Sequence, residues 1–390
     1  QRTLDWLLAQ QRADGSWDGG DALHAGNEVL GASNIRTTAF IAWALAHTGW
    51  ADSAAGNAAA WLASNLPSVD DVYANALSLN ALAKIDPNSS AASQLYSRVD
   101  SLKDDRGNGQ ASWPTDTPSW TGAGGDAAAL ETTGLVAYGL MQANAYPENV
   151  ASAMRFIIAN KDSVGTWYNT QATMNALRAL SAAASPQGSD AIGTFTVALN
   201  GAPVATLELT ADNGDVYHRI DLSDLVVTGD NIISLEMVGS GELTYQIKRR
   251  AYRQALPLPS TPELSLSVAY DRTSAVVGEP ITATVIATNN QSGIRDQVMV
   301  RIGRAPGFAP RSEDLEQLQT NGKVSRYEVN DEYVTFYLMG LQPSESRQMV
   351  LRFTPTMAVD ATAPASMIYA YYEPQLKTSL APATFSIAAP

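Results

Sequence analysis

The side chains that most often do chemistry in proteins are sparse in this sequence. It contains no cysteine and three histidines, His24, His47 and His218. Without cysteine, these residues cannot supply a thiol nucleophile, a disulfide or a zinc–thiolate site. His24 lies in a glycine-rich stretch and His47 near a predicted helix end, so we expect a structural or solvated role for both. The sequence therefore predicts no catalytic residue, no cofactor and no metal site.

One loop combines residue types that suggest a defined role. Its sequence is Gly165-Thr166-Trp167-Tyr168-Asn169-Thr170-Gln171, and a helical pattern follows it. Gly165 permits a tight turn into that helix, and Trp167 can close the end of a helical array against its neighbour. Because large aromatic residues usually hold cores together, we expect these side chains to be mainly structural.

Length, charge and termini limit the class of protein. The chain has 390 residues, with 25 basic against 39 acidic residues and a net charge of −14. That length suggests two or three domains, and the acidic balance argues against nucleic acid and anionic membranes as partners. No apolar run approaches the roughly 20 residues that span a bilayer. The start at Gln1 shows neither an initiator methionine nor a signal peptide, which suggests a fragment.

Residues 1–190 carry the spacing of amphipathic helices. Apolar side chains recur at intervals of three and four residues in four segments, around Thr38–Ala46, Val72–Leu82, Leu130–Met141 and Met174–Leu180. Shorter helical stretches and loops rich in glycine, aspartate, serine or tryptophan separate them. Helix pairs that recur every few dozen residues predict a stacked array that closes into an α/α toroid. Because about four pairs are visible, we expect the toroid to be incomplete on its N-terminal side.

The pattern changes to β structure near residue 190. Phe195, Val197 and Leu199 alternate with polar or small residues, and Asn200-Gly201 supplies a hairpin turn. We assign residues 191–256 to a partial, CUB-like β segment with an open edge, because it is short for a sandwich. A proline-rich stretch near its end marks a boundary. Residues 257–390 then show strands at the spacing of a β-sandwich, with one helix near Ser312.

This domain order resembles the C-terminal part of α2-macroglobulins and complement C3-like proteins. The loop at Gly165–Gln171 resembles the Gly-aromatic-x-x-Thr-Gln-x-Thr loop of the family's thioester-containing domain. The segment at Ala129-Leu130-Glu131-Thr132-Thr133 resembles the inner helix that precedes it, with Glu131 as the matching position. Gly307-Phe308, Val324-Ser325-Arg326 and Tyr371-Tyr372-Glu373 resemble the family's receptor-binding domain. The resemblance covers nearly the whole chain.

The resemblance implies a thioester that this chain cannot form by itself. Family members with covalent activity join a Cys and a Gln of a Cys-x-Glu-Gln segment, and this sequence has no cysteine. Either the motif lies upstream of Gln1, or the protein belongs to a branch without it. Complement-type relatives also place a histidine near the start of the Glu131 helix, and this chain has none there. Any upstream thioester is therefore expected to react with amines directly.

Two features of the last domain bear on function through the resemblance. Vertebrate members carry two receptor-binding lysines four residues apart, and Ser312 and Glu316 stand at those positions here. A carboxylate cannot bind the acidic receptor modules that lysine binds, so this domain is expected to be structural, as in a bacterial member. Bacterial relatives cover the thioester with an aromatic side chain of this domain. Tyr371 and Tyr372 are the candidates, although strand alternation predicts that one faces the core.

We therefore predict the C-terminal region of a broad-spectrum protease inhibitor that changes conformation after cleavage of an upstream bait region. The chain is not expected to be an enzyme. The expected partners are target proteases and the upstream macroglobulin domains of the same protein, in an extracytoplasmic monomer that binds no nucleic acid. The resemblance alone carries the expectation of a monomer.

Two other classes of protein remain open. A surface adhesin or glycan-binding module would present exposed aromatic ladders on a sandwich face, for which the candidates are Tyr333, Phe336, Tyr337, Tyr369, Tyr371 and Tyr372. A terpene-cyclase-like enzyme would use a similar toroid, and Asp14-Gly15-Ser16-Trp17 resembles part of the repeat of squalene-type cyclases. However, Asp70-Asp71 is too short for the acid motif of those enzymes, and a fold alone does not fix a function.

Overall fold

A computed structural model describes residues 2–19, 33–161, 166–183, 191–214, 216–241, 243, 245–249 and 259–390. Residues 1–179 and 253–390 form one compact unit, and residues 180–252 form another. The predicted boundaries at 190/191 and 256/257 stay predictions, and the second of them lies outside the described residues. In the described part of the chain, no helix is long and apolar enough to cross a membrane.

Eight helices of the described residues form the helical domain, in four pairs of an outer and an inner helix. They are α1 (Arg2–Ala9), α2 (Asn34–Thr48), α3 (Asp52–Asn65), α4 (Val72–Ile85), α5 (Ser90–Ser101), α6 (Gly125–Ala143), α7 (Pro147–Ala159) and α8 (Thr170–Ala183). A 3₁₀ turn at Leu66–Ser68 follows α3, and a short hairpin of β1 (Asp104–Gly107) and β2 (Gln110–Ser112) follows α5. The predicted α/α arrangement is confirmed.

Local sequence explains where these helices begin and why the inner ones pack closely. Side chains of Ser33, Asp71 and Ser89 accept hydrogen bonds from the first free amides of α2, α4 and α5. The inner helices α4 and α6 are buried on nearly all sides, which suits their many alanine residues. A Cβ at Gly134 of α6 would lie 2.8 Å from the backbone of Asn175 in α8. Small residues therefore allow the inner helices to approach each other.

The helix α8 differs from its predicted orientation. Periodicity predicts a buried face at Met174, Leu177 and Leu180, but Met174 and Leu177 are 46% and 52% exposed. The buried residues of α8 are Ala172, Asn175, Ala176 and Ala179. The prediction is wrong because the close approach to α6 admits only short side chains, which selects the alanine face.

The middle segment is a three-stranded antiparallel sheet in the described residues. It contains β3 (Ile192–Leu199), β4 (Ala202–Leu209) and β5 (Ile233–Ser240), in the order β4-β3-β5. Asn200 and Gly201 form the predicted hairpin turn with positive φ angles of 51° and 83°. Both outer strands leave one edge unpaired among the described residues, so completion by further strands stays a prediction.

The last domain is the predicted β-sandwich with one helix. Its strands are β6 (Leu264–Tyr270), β7 (Ser274–Val276), β8 (Ile281–Asn289), β9 (Arg295–Gly303), β10 (Phe308–Pro310), β11 (Arg326–Val329), β12 (Tyr333–Leu341), β13 (Ser346–Pro355), β14 (Val359–Ala363), β15 (Met367–Ala370), β16 (Glu373–Ser379) and β17 (Ala383–Ala388). They form sheets in the orders β10-β13-β8-β6, β11-β12-β9-β15-β16 and β14-β17-β7. Inward-facing residues such as Val285, Val300 and Phe336 share one apolar core.

The single helix of the sandwich, α9 (Ser312–Thr320), begins one residue earlier than the cap-like Ser312 predicts. Arg311 is the N-cap residue, and no side chain caps the helix. Asp314 instead accepts hydrogen bonds from the backbone N–H and the Nε of Arg352 in β13, both over 2.9 Å. The Arg352 side chain keeps the pKa of Asp314 below its ordinary value, and the pair fixes α9 to the sheet.

Candidate functional site

The N-terminal end of α6 lies against the turn that joins β15 to β16. Gly124, the residue before α6, donates its backbone N–H to the carbonyl oxygen of Tyr372 over 3.3 Å. The helical domain and the sandwich therefore meet through a backbone hydrogen bond. We call the set of Gly124, Gly125, Tyr372, Glu373 and Gln375 the domain contact.

Glycine avoids close contacts with sandwich side chains at the two positions that α6 brings to the domain contact. A Cβ at Gly124 would lie 2.5 Å from Oε1 of Glu373, and one at Gly125 would lie 1.8 Å from Nε2 of Gln375. Gly125 also has a φ of 53°, a left-handed conformation that residues with a Cβ rarely adopt. The glycine pair thus lets the start of a helix approach the side chains of a sheet in another domain.

An ion pair on the sandwich side supports the same contact. The NH1 group of Arg295 in β9 donates to Oε1 of Glu373 over 3.1 Å, and both side chains are half-buried. This oxygen is the atom nearest to the missing Cβ of Gly124. Arg295 therefore holds the Glu373 carboxylate against the N-terminus of α6, where the helix dipole favours negative charge.

Tyr371 and Tyr372 occupy a turn, whereas the sequence predicts a strand that continues to Tyr372. The strand ends at Ala370, where the register between β15 and β16 shifts. Both tyrosines are half-buried, and their rings meet edge to face at 5.0 Å. Burial raises the pKa of Tyr372 above its ordinary value. The strand alternation expected for this pair is therefore wrong, because the turn releases both side chains from the two sheet faces.

The predicted signature loop is only partly described. Gly165 lies outside the described residues. Trp167 is buried; its backbone N–H donates to Oγ1 of Thr173 over 3.0 Å, and its indole N–H donates to the carbonyl of Ile157 over 2.7 Å. Through its backbone and its side chain, Trp167 thus joins the inner helix α8 to the outer helix α7. This agrees with the structural role expected for Trp167.

The same tryptophan contact occurs in two other helix pairs. The backbone N–H groups of Trp17 and Trp113 donate to Oγ1 of Thr38 and Thr133 over 3.0 and 3.1 Å. Their indole N–H groups donate to carbonyl oxygens of the preceding outer helices, over 2.8 Å to Leu7 and 2.7 Å to Val99. The cyclase-like Trp17 is therefore part of a structural repeat of this toroid, in which tryptophan satisfies a carbonyl near the end of the outer helices α1, α5 and α7.

The remaining residues of the signature loop set the start of α8. Tyr168 has a φ of 44° and is 40% exposed. Burial and the negative charge of Asp126, at the start of α6, raise the pKa of Tyr168. Thr170 is exposed and Gln171 half-buried. The N-cap is Asn169, whose Oδ1 accepts from the N–H of Ala172 over 2.9 Å. This role was not predicted from the sequence, although asparagine is a preferred N-cap residue and stands directly before the helical pattern of α8.

Glu131 lies in a buried polar network at the N-terminal ends of three inner helices. It is 1% exposed, and Oε1 accepts a hydrogen bond from the hydroxyl of Tyr73 over 2.7 Å. Burial raises its pKa to about 7, against the opposing effects of Tyr73 and the positive charge of Arg36. Arg36 stacks over the Tyr73 ring at 4.9 Å and pairs with Asp71. Glu131 was predicted from the sequence, whereas Arg36 was not; the signal for Arg36 is a charged residue in an otherwise apolar helix.

The substituted receptor positions lie together on the surface. Ser312 and Glu316 are both exposed on α9, while Leu315 and Leu318 face the sandwich core. The exposed face of this helix also carries Glu313, so its charge is opposite to that of a lysine pair. Nothing in the sequence or the helix makes this face basic.

The other candidate chemistry is not assembled in the described residues. His47 and His218 are exposed, and His24 lies outside the described residues. Asp71 caps α4 and pairs with Arg36, and Asp70 pairs with Arg98. The described residues contain no cluster of His, Asp and Glu that could hold a metal ion.

The aromatic residues that an adhesin would expose are covered in this sandwich. Phe336 is buried, and Tyr333, Tyr337 and Tyr369 are half-buried. The guanidinium groups of Arg301 and Arg326 lie over the rings of Tyr333 and Tyr337, at 4.0 and 5.5 Å from their centroids. These rings do not form an exposed ladder.

Comparison with protein families gives two matches, each to a domain of α-macroglobulins. Residues 1–182 match the A-macroglobulin TED domain, a complement-type family model, and residues 295–380 match the A-macroglobulin receptor-binding domain. A comparison with curated proteins gave no match. The two models together cover the helical domain and most of the sandwich.

Solved structures of bacterial α2-macroglobulins share the fold at low sequence identity. A native Escherichia coli structure from domain MG7 to the C-terminus has a TM-score of 0.57 and 13% identity over 91% of this chain and 54% of that chain. The native conformation of the E. coli protein, determined by cryo-EM, has a TM-score of 0.59 and 13% identity over 98% of this chain and 23% of that chain. Salmonella α2-macroglobulin reacted with methylamine has a TM-score of 0.56 and 11% identity, over 91% of this chain and 22% of that chain. The chain thus spans about half or less of these relatives.

Proposed function

The chain belongs to the α2-macroglobulin family, in which it corresponds to the C-terminal region, and from this premise we propose that it serves a broad-spectrum protease trap. In this proposal a protease cleaves a bait region upstream of these residues. The helical domain then leaves the sandwich, and the rearranged molecule encloses or covalently binds the protease. The chain itself acts through its change of position and performs no catalysis.

The observation that carries the proposal is the domain contact. It consists of one backbone hydrogen bond of 3.3 Å and the close approach of Gly124 and Gly125 to Glu373 and Gln375. The groups named here are polar and could be hydrated as they separate. A contact of this kind suits two domains that must stay together until cleavage and then come apart.

The proposal is tested with the full-length parent protein and several proteases of different specificity. Native gel mobility reports compaction, and residual protease activity is measured on a large protein substrate and on a small peptide. We expect compaction, loss of activity on the large substrate and retained activity on the peptide. If cleavage of the parent produces neither compaction nor inhibition, the trap mechanism is wrong.

Whether the trap is covalent depends on residues outside this chain, which has no cysteine. The deciding measurement is the intact mass of the parent with and without methylamine, together with a free-thiol assay. A gain of one methylamine with release of one thiol would establish an upstream thioester. No change in either signal would favour a branch without it and leave steric or partner-dependent trapping.

If the thioester exists, we assign the Tyr371–Tyr372 turn to its protection. The turn lies at the N-terminus of α6, the inner helix whose start carries a histidine in complement-type relatives and none here. The half-buried edge-to-face rings would exclude water from an acyl group at this position. Substitution of either tyrosine by alanine should increase spontaneous loss of the methylamine-reactive group, whereas alanine at the half-buried Tyr327 should not.

The partners and location follow from the same proposal. The partners are target proteases and the upstream macroglobulin domains, in an extracytoplasmic monomer that binds no nucleic acid. Because Ser312 and Glu316 replace the receptor lysines on an exposed helix face, the last domain serves to hold the helical domain and does not mediate clearance.

A further inference from the structure

The domain contact is carried by a loop whose position needs its own support. Residues 113–124, here called the docking loop, run from Trp113 to Gly124. The loop closes on itself through Ser119, whose N–H donates to the carbonyl of Ala123 over 2.8 Å and whose hydroxyl accepts from the Ala123 N–H over 3.2 Å. Its centre, from Asp116 to Pro118, is exposed. A loop of this kind is mobile unless another element fixes it.

A buried arginine of another helix fixes the centre of the docking loop. Arg36, in the first turn of α2, is 3% exposed. Its NH1 group donates to the carbonyl of Pro118 over 2.7 Å, and its NH2 group donates to Oγ1 of Thr117 over 2.6 Å. These two residues are more than eighty positions away in sequence. The guanidinium fork thus joins the first inner helix to the loop that reaches the sandwich.

The remaining contacts of Arg36 keep its charge stable in the interior. Its Nε donates to Oδ2 of Asp71 over 2.5 Å, and its plane lies over the Tyr73 ring. Asp71 already caps α4 through the N–H groups of Tyr73 and Ala74. The cap of α4 therefore does not require Arg36. Since a buried guanidinium stays charged, its N–H groups need acceptors, and the docking loop supplies the acceptors of NH1 and NH2.

We propose that Arg36 is a positioning residue for the domain contact: it holds the docking loop in the shape that presents Gly124 to Tyr372. This inference rests on the proposed function, since it assigns a role in keeping the two domains together before cleavage. Loss of the guanidinium fork frees the loop and loosens the sandwich, while the helices of the toroid remain folded.

The chain offers a matched control in Arg98. This arginine also supports a loop of the helical domain, through the carbonyls of Pro67 and Val69 and the carboxylate of Asp70. All these partners belong to the α3–α4 connection. Arg98→Lys therefore removes the guanidinium hydrogen bonds to a loop that does not contain Gly124.

The experiment measures the distance between the two domains in the full chain. Because the sequence has no cysteine, spin labels at Glu148→Cys in α7 and Gln319→Cys in α9, both exposed, are the sole labelled sites. Pulsed electron resonance then gives the distance distribution. We expect one narrow peak for the doubly labelled chain without further substitution and for its Arg98→Lys variant. The Arg36→Lys variant should give a broader distribution with a longer mean distance. Hydrogen exchange of the Gly124 amide should be roughly tenfold faster in Arg36→Lys.

Two further readouts distinguish positioning from folding. Exchange of the amides in α2, α4 and α6 should be unchanged in Arg36→Lys; if it rises with the Gly124 amide, the variant is misfolded and Thr117→Val decides. Thr117→Val removes the acceptor of the Arg36 NH2 group and also the bonds of the same hydroxyl to Oδ1 of Asp71 and to Thr115. Because the bond from Arg36 to the Pro118 carbonyl remains, it should broaden the distance distribution to a smaller degree. The inference is overturned if Arg36→Lys has the same distance distribution as the chain without this substitution. If Arg36→Lys does not fold, the same result in Thr117→Val overturns it. Protease trapping by the full-length protein is not measured in this experiment, so a failure of the inference is distinguishable from a failure of the proposed function.

Discussion

Tyr73 donates a hydrogen bond of 2.7 Å to the carboxylate of Glu131, at a place where Tyr73 is 4% and Glu131 1% exposed. The two residues belong to neighbouring inner helices, α4 and α6, and are 58 positions apart in sequence. Burial opposes the ionised form of both groups and raises both pKa values. The interior of the helical domain therefore contains a carboxyl group that changes its charge near neutral pH.

Stability should fall as this carboxyl group ionises in the folded chain. The pKa of Glu131 is about 7 in the folded state, whereas its ordinary value is 4.5, so the folded chain binds an extra proton between these pH values. Unfolding free energy then decreases as pH rises from about 4.5 to 7, by at most roughly 3 kcal/mol from this group. Glu131→Gln removes this decrease, so the variant should be more stable than the unsubstituted chain at pH 8. Urea denaturation from pH 5 to 8 measures the free energy of unfolding of both proteins. If this free energy depends on pH in the same way in both, the prediction is wrong.

Removal of the Tyr73 hydroxyl should destabilise the helical domain. Tyr73→Phe leaves the Glu131 carboxylate without its donor in a site that water does not reach, which should cost about 1–3 kcal/mol at pH 8. The loss should be smaller at pH 5, because a protonated Glu131 carries no buried charge. Tyr96→Phe is the control, since the Tyr96 hydroxyl donates to the carbonyl of Pro87 and does not contact a carboxylate. Equal losses at both pH values would show that the hydroxyl does not stabilise the ionised form.

The glycine at the start of α6 should be required for the domain contact. Gly124→Ala places a Cβ 2.5 Å from Oε1 of Glu373, so that side chain must move and lose its bond to Arg295. We expect a longer mean distance between the domains in the spin-label measurement, without loss of helix content by circular dichroism. Gly56→Ala in α3 is the control, because a Cβ there meets no atom within 4 Å and should stabilise the helix by roughly 0.5–1 kcal/mol. An unchanged distance in Gly124→Ala would show that Glu373 adapts without cost to the contact.

The repeated tryptophan contacts should each contribute to stability. Trp167→Phe loses the indole bond to the Ile157 carbonyl and leaves a cavity in a buried site, which should lower the free energy of unfolding by about 2–4 kcal/mol. The same change at Trp113 should have a similar effect, since its indole N–H donates to Val99 in the same way. Trp50→Phe should change stability by less than about 0.5 kcal/mol, because Trp50 is 70% exposed. Denaturant titration of the three variants compares them, and a neutral Trp167→Phe would contradict the structural role.

Local sequence determined the elements of this protein and their order. The three- and four-residue spacing of apolar side chains in α2, α4 and α6, the alternation around Phe195 and the Asn200-Gly201 turn each depend on residues that are neighbours along the chain. The family motifs are also contiguous, so Glu131 and Trp167 were found from the sequence. The absence of cysteine alone excluded a thioester formed within these residues.

Tertiary structure decided which of these surfaces meet. Periodicity could not show that α8 buries its alanine face and exposes Met174, because the choice depends on how closely α6 approaches. It could not place Tyr372 in a turn against Gly124, or Arg36 beneath a loop more than eighty residues away. Such contacts depend on the packing of whole elements, and the energies that fix them arise between side chains with no regular spacing along the chain.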